Sequence, residues 1–135
     1  MIDQIEITLP EFERGFHLIT SMITKALHDL PEKGLFHIFI KHTSAGLTLN
    51  ENADFTVRTD FQSFFNKIVP EKENYAHDSE GKDDMPAHLK SSIVGQSISI
   101  PITKHQLNLG IWQGIYLCEF RNRGGKRKIV LTVLS

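Results

Sequence analysis

The sequence predicts an α+β domain in which a mainly antiparallel β-sheet or sandwich carries two longer helices packed on one face. Segments with alternating apolar and polar residues, as in half-buried strands, occur near both ends of the chain. Two longer segments instead repeat their apolar residues at helical spacing. The 135 residues show no internal repeat and no linker, so we expect a single domain over residues 1–135.

The first half of the chain alternates strand and helix signals. In three segments apolar residues recur at every second position, which predicts strands. These segments are 2–9, 16–19 and 35–42. Between the last two, an apolar face at helical spacing predicts a helix over 20–30, with Thr20 as its N-cap and Pro31 at its end.

The second half begins with the longest predicted helix, 53–69, which has Asn52 as its cap and Pro70 as its stop. A polar loop follows, and then a short helix over 86–95 that begins at a proline. The remaining strands are predicted at 97–102, 111–120 and 128–134. The strand at 111–120 is apolar on both faces. It is therefore either covered on both sides or used in a contact between subunits, and we favour the subunit contact.

Composition argues against several classes of protein. The formal net charge of −1 disfavours a general nucleic-acid binder. No run of eighteen apolar residues predicts a membrane span, and the N-terminus lacks the features of a signal peptide. The only cysteine, Cys118, cannot form an internal disulfide, which fits a reducing compartment. We expect a cytoplasmic protein with neither nucleic-acid nor membrane partners.

Histidines provide the strongest chemical signal. His42 shares the core-facing side of its predicted strand and precedes Thr43 and Ser44, small hydroxyl residues suited to a polar ligand. His77 and His88 bracket four acids, and the positive end of a helix dipole keeps His88 neutral, which is the metal-binding form. Three such nitrogen ligands with one open position would resemble a catalytic zinc site. A buried, satisfied histidine and a solvated acidic loop remain the alternatives.

Other polar residues allow two interpretations each. Glu51 is a general base or metal ligand, or else it lies in a helix cap made by asparagines. Lys90 and Ser91 either hold a phosphate near the helix N-terminus or lie on a solvated helix surface. Glu119 lies at the edge of a core and requires a partner there. The basic cluster at 121–128 is interpreted as a solvated hairpin.

Three segments resemble the signatures of the YjbQ family, and the similarity covers essentially the whole chain. They are His42–Asn52, His77–His88 and Leu109–Tyr116. The resemblance implies an α+β homotrimer with a pocket near the subunit boundary, a divalent metal on the motif histidines, and a secondary thiamine-phosphate synthase activity. That reaction joins a hydroxymethylpyrimidine diphosphate to a thiazole phosphate and releases pyrophosphate, so small phosphorylated metabolites are the expected ligands.

The resemblance also suggests a role for each residue. The expected metal ligands are His42, His77 and His88. The expected catalytic residues are Glu51, Asp83, His42 and His88, with Glu51 and Asp83 orienting ligands or water. The expected phosphate contacts are Thr43, Ser44, Lys90 and Ser91. Zinc suits three histidines, whereas pyrophosphate chemistry usually uses magnesium. Hydrolysis of a phosphorylated metabolite and non-catalytic, trimeric metabolite binding are the alternative functions.

Overall fold

The computed structural model describes residues 1–135 and contains eight strands and three helices. The strands are β1 Ile2–Thr8, β2 Gly15–Leu18, β3 Lys33–Ile40, β4 Ala45–Glu51, β5 Ser97–Thr103, β6 Gln106–Leu107, β7 Gln113–Glu119 and β8 Lys128–Leu134. The helices are α1 Thr20–Ala26, α2 Phe55–Ile68 and α3 Asp84–Val94. Every strand pair is antiparallel, which confirms the predicted fold class.

The strands form two sheets that enclose the main core. One has the order β1-β8-β3-β5-β6 and the other the order β2-β7-β4. Fifteen buried residues from both sheets and from α1 form one apolar cluster, to which β3 contributes Phe36, Ile38 and Ile40 from alternate positions. Burial of this apolar surface is the main driving force for joining the sheets.

Helices cover the other face of the three-stranded sheet. Tyr116 and Cys118 of β7 point to this side, where they form a second cluster with Phe16, Ala87 and Phe120. The next residues along β7, Ile115 and Leu117, belong to the main core. β7 is therefore covered on both sides within one chain. Ile111 and Trp112, which the predicted strand also included, lie before β7 and are exposed, so a subunit contact there stays a prediction.

Several predicted boundaries were also wrong. The first helix ends at Ala26 rather than at residue 30, since Leu27 already has an extended backbone with ψ of 131°. The second begins at Phe55, and Asp54 rather than Asn52 caps it by accepting from the Thr56 amide at 2.9 Å. The two longer helices are consequently α2 and α3, both on the three-stranded sheet. None of the three helices has the length and apolar sequence that crossing a membrane requires.

Close contacts with β4, which was not predicted, fix the position of α3. The Ser91 hydroxyl donates to the Ala45 carbonyl at 2.8 Å, and the Leu47 amide donates to the Gly95 carbonyl at 3.0 Å. A Cβ at Gly46 would lie 2.8 Å from the Gly95 carbonyl oxygen, so only glycine permits this approach. The helix that carries His88 is thereby held against the strand that follows His42.

Candidate metal centre

His77, Asp84 and His88 meet at the start of α3. His77 lies in the loop before the helix, Asp84 is the first helical residue, and His88 follows one turn later on the same face. The Nε2 atoms of His77 and His88 lie 2.7 Å and 3.1 Å from Asp84 Oδ2. The three ligand atoms all lie within 4.8 Å of one another. The structure thus brings together two predicted ligands and a carboxylate.

The second nitrogen of His88 fixes the orientation of its ring. The Thr43 carbonyl oxygen lies 2.8 Å from His88 Nδ1, and since a carbonyl only accepts, Nδ1 must carry the proton and donate. In a neutral ring Nε2 then presents its lone pair towards Asp84 Oδ2. Two acceptors at 3.1 Å repel each other unless a proton or a cation lies between them.

Asp84 is held as a carboxylate. Its side chain is 2% exposed, and this burial by itself raises the pKa. The hydrogen bond with His77 and the positive charge of Arg121 act against burial, and the pKa of Asp84 falls below its ordinary value. Arg121 Nη1 lies 3.1 Å from Asp84 Oδ1, the oxygen that faces away from the histidines. Arg121 therefore forms an ion pair with Oδ1 of the carboxylate, while Oδ2 faces the two imidazole rings.

This donor set fits a divalent metal. Two imidazole nitrogens and one carboxylate oxygen are the protein ligands of known catalytic zinc sites. The Thr43 carbonyl and Arg121 act from behind His88 and Asp84, as groups that orient metal ligands do. Arg121 Nε is buried without a hydrogen-bond partner and lies 3.9 Å from Asp83 Oδ2.

His42 borders the centre without joining it. β3 ends at Ile40, so the alternation of side chains along this strand, which predicted that His42 faces the core, does not extend to His42. The Lys128 amide donates to His42 Nε2 at 2.8 Å, so a neutral His42 carries its proton on Nδ1. Burial, followed by the charge of Arg127, lowers the pKa of His42. Together with Thr43 and His88 it lines a groove of about 430 Å³.

The two predicted catalytic acids are used structurally. Glu51 accepts hydrogen bonds from the amides of Ala53 and Asp54 in the turn before α2, while Asp54 rather than an asparagine caps the helix. Asp83 precedes α3 and accepts from the Asn122 amide at 2.8 Å. Neither carboxylate belongs to the group formed by His77, Asp84 and His88.

The four predicted phosphate contacts do not converge. Ser44 and Ser91 are buried, the first accepting from Arg127 and the second donating to Ala45. Thr43 is exposed beside His88, whereas Lys90 is buried and lines a different cavity.

The sequence interpretation missed two groups. Asp84 and His88 are four residues apart, and placing the helix start at Asp84 instead of Pro86 would have shown their shared face. The buried pair of Arg127 and Glu119, whose Nη2 and Oε2 atoms lie 2.5 Å apart, supplies the partner that Glu119 was expected to need. Arg127 had been assigned to a solvated hairpin.

Comparison with known proteins places the chain in a family. A family model described as "UPF0047 protein YjbQ-like" matches residues 4–135. The chain belongs to the YjbQ-like family. The YjbQ protein of Salmonella typhimurium is 54% identical over 132 residues, which cover 96% of each chain. This confirms the resemblance found in the three sequence segments.

Solved structures of other YjbQ-like proteins share the fold. An uncharacterised protein of the YjbQ/UPF0047 family from Clostridium acetobutylicum has a TM-score of 0.81 and 35% identity, covering 97% of this chain and 99% of that chain. A YbjQ-like protein of unknown function from Sulfolobus solfataricus P2 has a TM-score of 0.86, with 100% and 98% coverage. At its 19% identity, the second likeness shows the fold alone.

Proposed function

We propose that this YjbQ-like protein is a metal-dependent enzyme that acts on a phosphorylated metabolite, with His77, Asp84 and His88 as the metal ligands. One observation carries the proposal: the buried Asp84 carboxylate faces two imidazole Nε2 atoms, and the Thr43 carbonyl turns the lone pair of neutral His88 towards it. A cation between Asp84 Oδ2 and His88 Nε2 would be coordinated by both atoms, which otherwise repel each other.

The reaction that we propose is secondary thiamine-phosphate synthesis, which the family resemblance supports. A carbon–nitrogen bond to the thiazole forms as the carbon–oxygen bond to the diphosphate breaks, and pyrophosphate leaves with that electron pair. A bound divalent ion would offset the negative charge that grows on the leaving group. Arg121 and the Thr43 carbonyl hold Asp84 and His88 in position. His42, which carries its proton on Nδ1, can donate a hydrogen bond to a substrate in the groove beside His88.

Hydrolysis of a phosphorylated metabolite is the second candidate function. Imidazole ligands favour zinc over magnesium, and a set of two histidines and one carboxylate recurs in zinc hydrolases. Non-catalytic binding of an anionic metabolite is a third, and it predicts no turnover.

We also propose a cytoplasmic homotrimer. Ile111 and Trp112, just before β7, are 83% and 62% exposed, and Phe55 at the start of α2 is 65% exposed. Apolar side chains of this size are typical of subunit contacts. A mass of three chains in light scattering supports the trimer, and a monomer mass at the same concentration contradicts it. The free thiol of Cys118 supports a reducing compartment.

Elemental analysis of the tag-free protein, before and after chelation, tests the metal centre. We expect a stoichiometric divalent metal, with zinc rather than magnesium or iron, in the wild type. Asp84→Asn and His88→Ala should each weaken the affinity of the protein for this metal at least tenfold. The first removes the charge of a ligand and the second removes a ligand. His37→Ala is the matched control, since His37 lies on the five-stranded sheet and contacts Ser99.

Activity assays on the same samples separate the candidate functions. Thiamine-phosphate formation that chelation abolishes and metal restores supports the synthase, and metal-dependent release of inorganic phosphate supports the hydrolase. A metal-free wild type, or turnover that survives in both Asp84→Asn and His88→Ala, would contradict the metal-dependent mechanism.

A further inference from the structure

Lys90 is a buried cation whose direct contacts are neutral. The side chain is 1% exposed, its Nζ donates to Asn66 Oδ1 at 2.7 Å, and it lies 5.9 Å from the centre of the Phe120 ring. A buried charge is stable only with an opposite charge or extensive hydrogen bonding. One amide oxygen and one aromatic ring leave most of that requirement unmet.

The nearby carboxylates are bound to other groups. Glu71 pairs with Arg14, and Asp83 accepts from the Asn122 amide. Arg14 Nη2 donates to the same Asn66 oxygen that Lys90 contacts, at 2.8 Å. A guanidinium and an ammonium thus converge on one neutral acceptor. Glu71 forms an ion pair with Arg14, and the ammonium of Lys90 has no ion-pair partner.

Arg14 lines an open cavity of about 750 Å³, which we call the Arg14 pocket. It is lined by Arg14, Gln62, Asn66, Glu71 and Asn122, among others. A narrower cavity shares Arg14, Gln62 and Asn66 with it and is also lined by Lys90. None of the residues of the metal centre lines either cavity.

We propose that the Arg14 pocket binds the phosphate or carboxylate group of a small metabolite, with Arg14 as its direct cationic contact and the buried Lys90, behind Asn66, as a second positive charge. The side-chain amides of Gln62, Asn66 and Asn122 provide further donors, and an arginine fork matches either oxyanion. Glu13 also lines the pocket, so the favoured ligand carries hydroxyl or amino donors besides its anionic group. This site is separate from the metal centre, and the proposal does not depend on the function proposed above.

Calorimetric titration of the metal-stripped, full-length protein with inorganic phosphate, and separately with succinate, tests the proposal. The wild type should bind at least one of the two anions, and the tighter one identifies the chemistry of the ligand. Arg14→Gln should weaken binding at least tenfold, because it removes the direct cationic contact. Lys90→Met should weaken it by a smaller factor, because it removes the positive charge behind Asn66. Asn66→Asp should also weaken binding, because its carboxylate would pair with Arg14 and Lys90 and would repel the anion.

Two controls separate this site from the metal centre. Lys25→Met removes an exposed lysine from α1 and should leave anion affinity unchanged. Asp84→Asn should lose metal and keep anion binding, whereas Arg14→Gln should keep metal. Failure of the wild type to bind either anion with a Kd below about 10 mM overturns the proposal. So does unchanged affinity in both Arg14→Gln and Asn66→Asp, whether or not Lys90→Met folds.

Discussion

Replacing Lys90 with methionine should stabilise the protein at neutral pH, although it removes a hydrogen bond. Burial, followed by the charge of Arg14, lowers the pKa of Lys90 from 10.5 to about 8. The folded state therefore binds this proton less tightly than the unfolded state does. Methionine has a similar length and carries no charge to desolvate, and it gives up the interaction between the ammonium and the Phe120 ring.

The size of the effect follows from that difference in pKa. A change from 10.5 to about 8 corresponds to about 3 kcal/mol, at about 1.4 kcal/mol for each pKa unit. Water in the Arg14 pocket screens part of this penalty. The hydrogen bond from the charged ammonium to Asn66, worth about 2 kcal/mol, is lost in the variant. A net stabilisation of about 1 kcal/mol remains.

The pH dependence provides the stricter test. Below pH 8 the ammonium is charged in both states, so the full penalty acts on the wild type. Between pH 8 and about 10.5 the folded protein loses its proton first, and the penalty disappears. Wild-type stability should therefore rise relative to the variant over this range, and the gap between them should close.

Urea unfolding at pH 7, 9 and 10, at one protein concentration and in phosphate-free buffer, measures this gap. Lys25→Met in α1 is the matched control, because that lysine is exposed. A variant less stable than the wild type at pH 7 would refute the reasoning, as would a gap that stays constant up to pH 10.

Three further predictions concern buried groups elsewhere. Arg127→Met should lower the free energy of unfolding by about 3–5 kcal/mol in urea denaturation, because it leaves the fully buried Glu119 carboxylate unpaired; a loss below about 1 kcal/mol would contradict this. His42→Gln should be less acid-sensitive than the wild type in unfolding measured from pH 7 to pH 5, because the lowered pKa of His42 means that the unfolded state takes up the proton first; equal acid sensitivity would show that His42 is not the cause. Cys118 should react with a thiol reagent only as fast as the protein unfolds, since the thiol is fully buried and burial raises its pKa; rapid labelling of the folded protein would be inconsistent with that burial.

The sequence predicted those parts of the fold whose signal is local. β3 alternates cleanly because one of its faces lies in the main core, and this pattern indicated both the strand and its buried residues. Proline and glycine marked the ends of α2 and α3 to within one residue. β4 was missed because Ala45–Glu51 begins with small residues and ends with polar ones, and its strand conformation depends on pairing with β7.

Within the candidate site, the sequence identified residue types better than spatial partners. His77 and His88 stood out because their segment is rich in acids, but selecting Asp84 from those acids required the true start of α3. His42 was grouped with them because its motif suggested a ligand. The structure instead turns its Nε2 to the Lys128 amide, a contact between residues 86 positions apart that no local pattern encodes.

Two consecutive residues of the turn after β7 link the metal centre to the Arg14 pocket. Arg121 contacts Asp84 at 3.1 Å, while the Asn122 amide donates to Asp83 and its side-chain oxygen accepts from Arg14 Nη1 at 3.4 Å. The turn is anchored on one side by the buried Arg127–Glu119 pair and on the other by the start of α3. Arg121 and Asn122 therefore connect two polar sites, and the nearby Arg127 is buried because it pairs with Glu119 and Ser44.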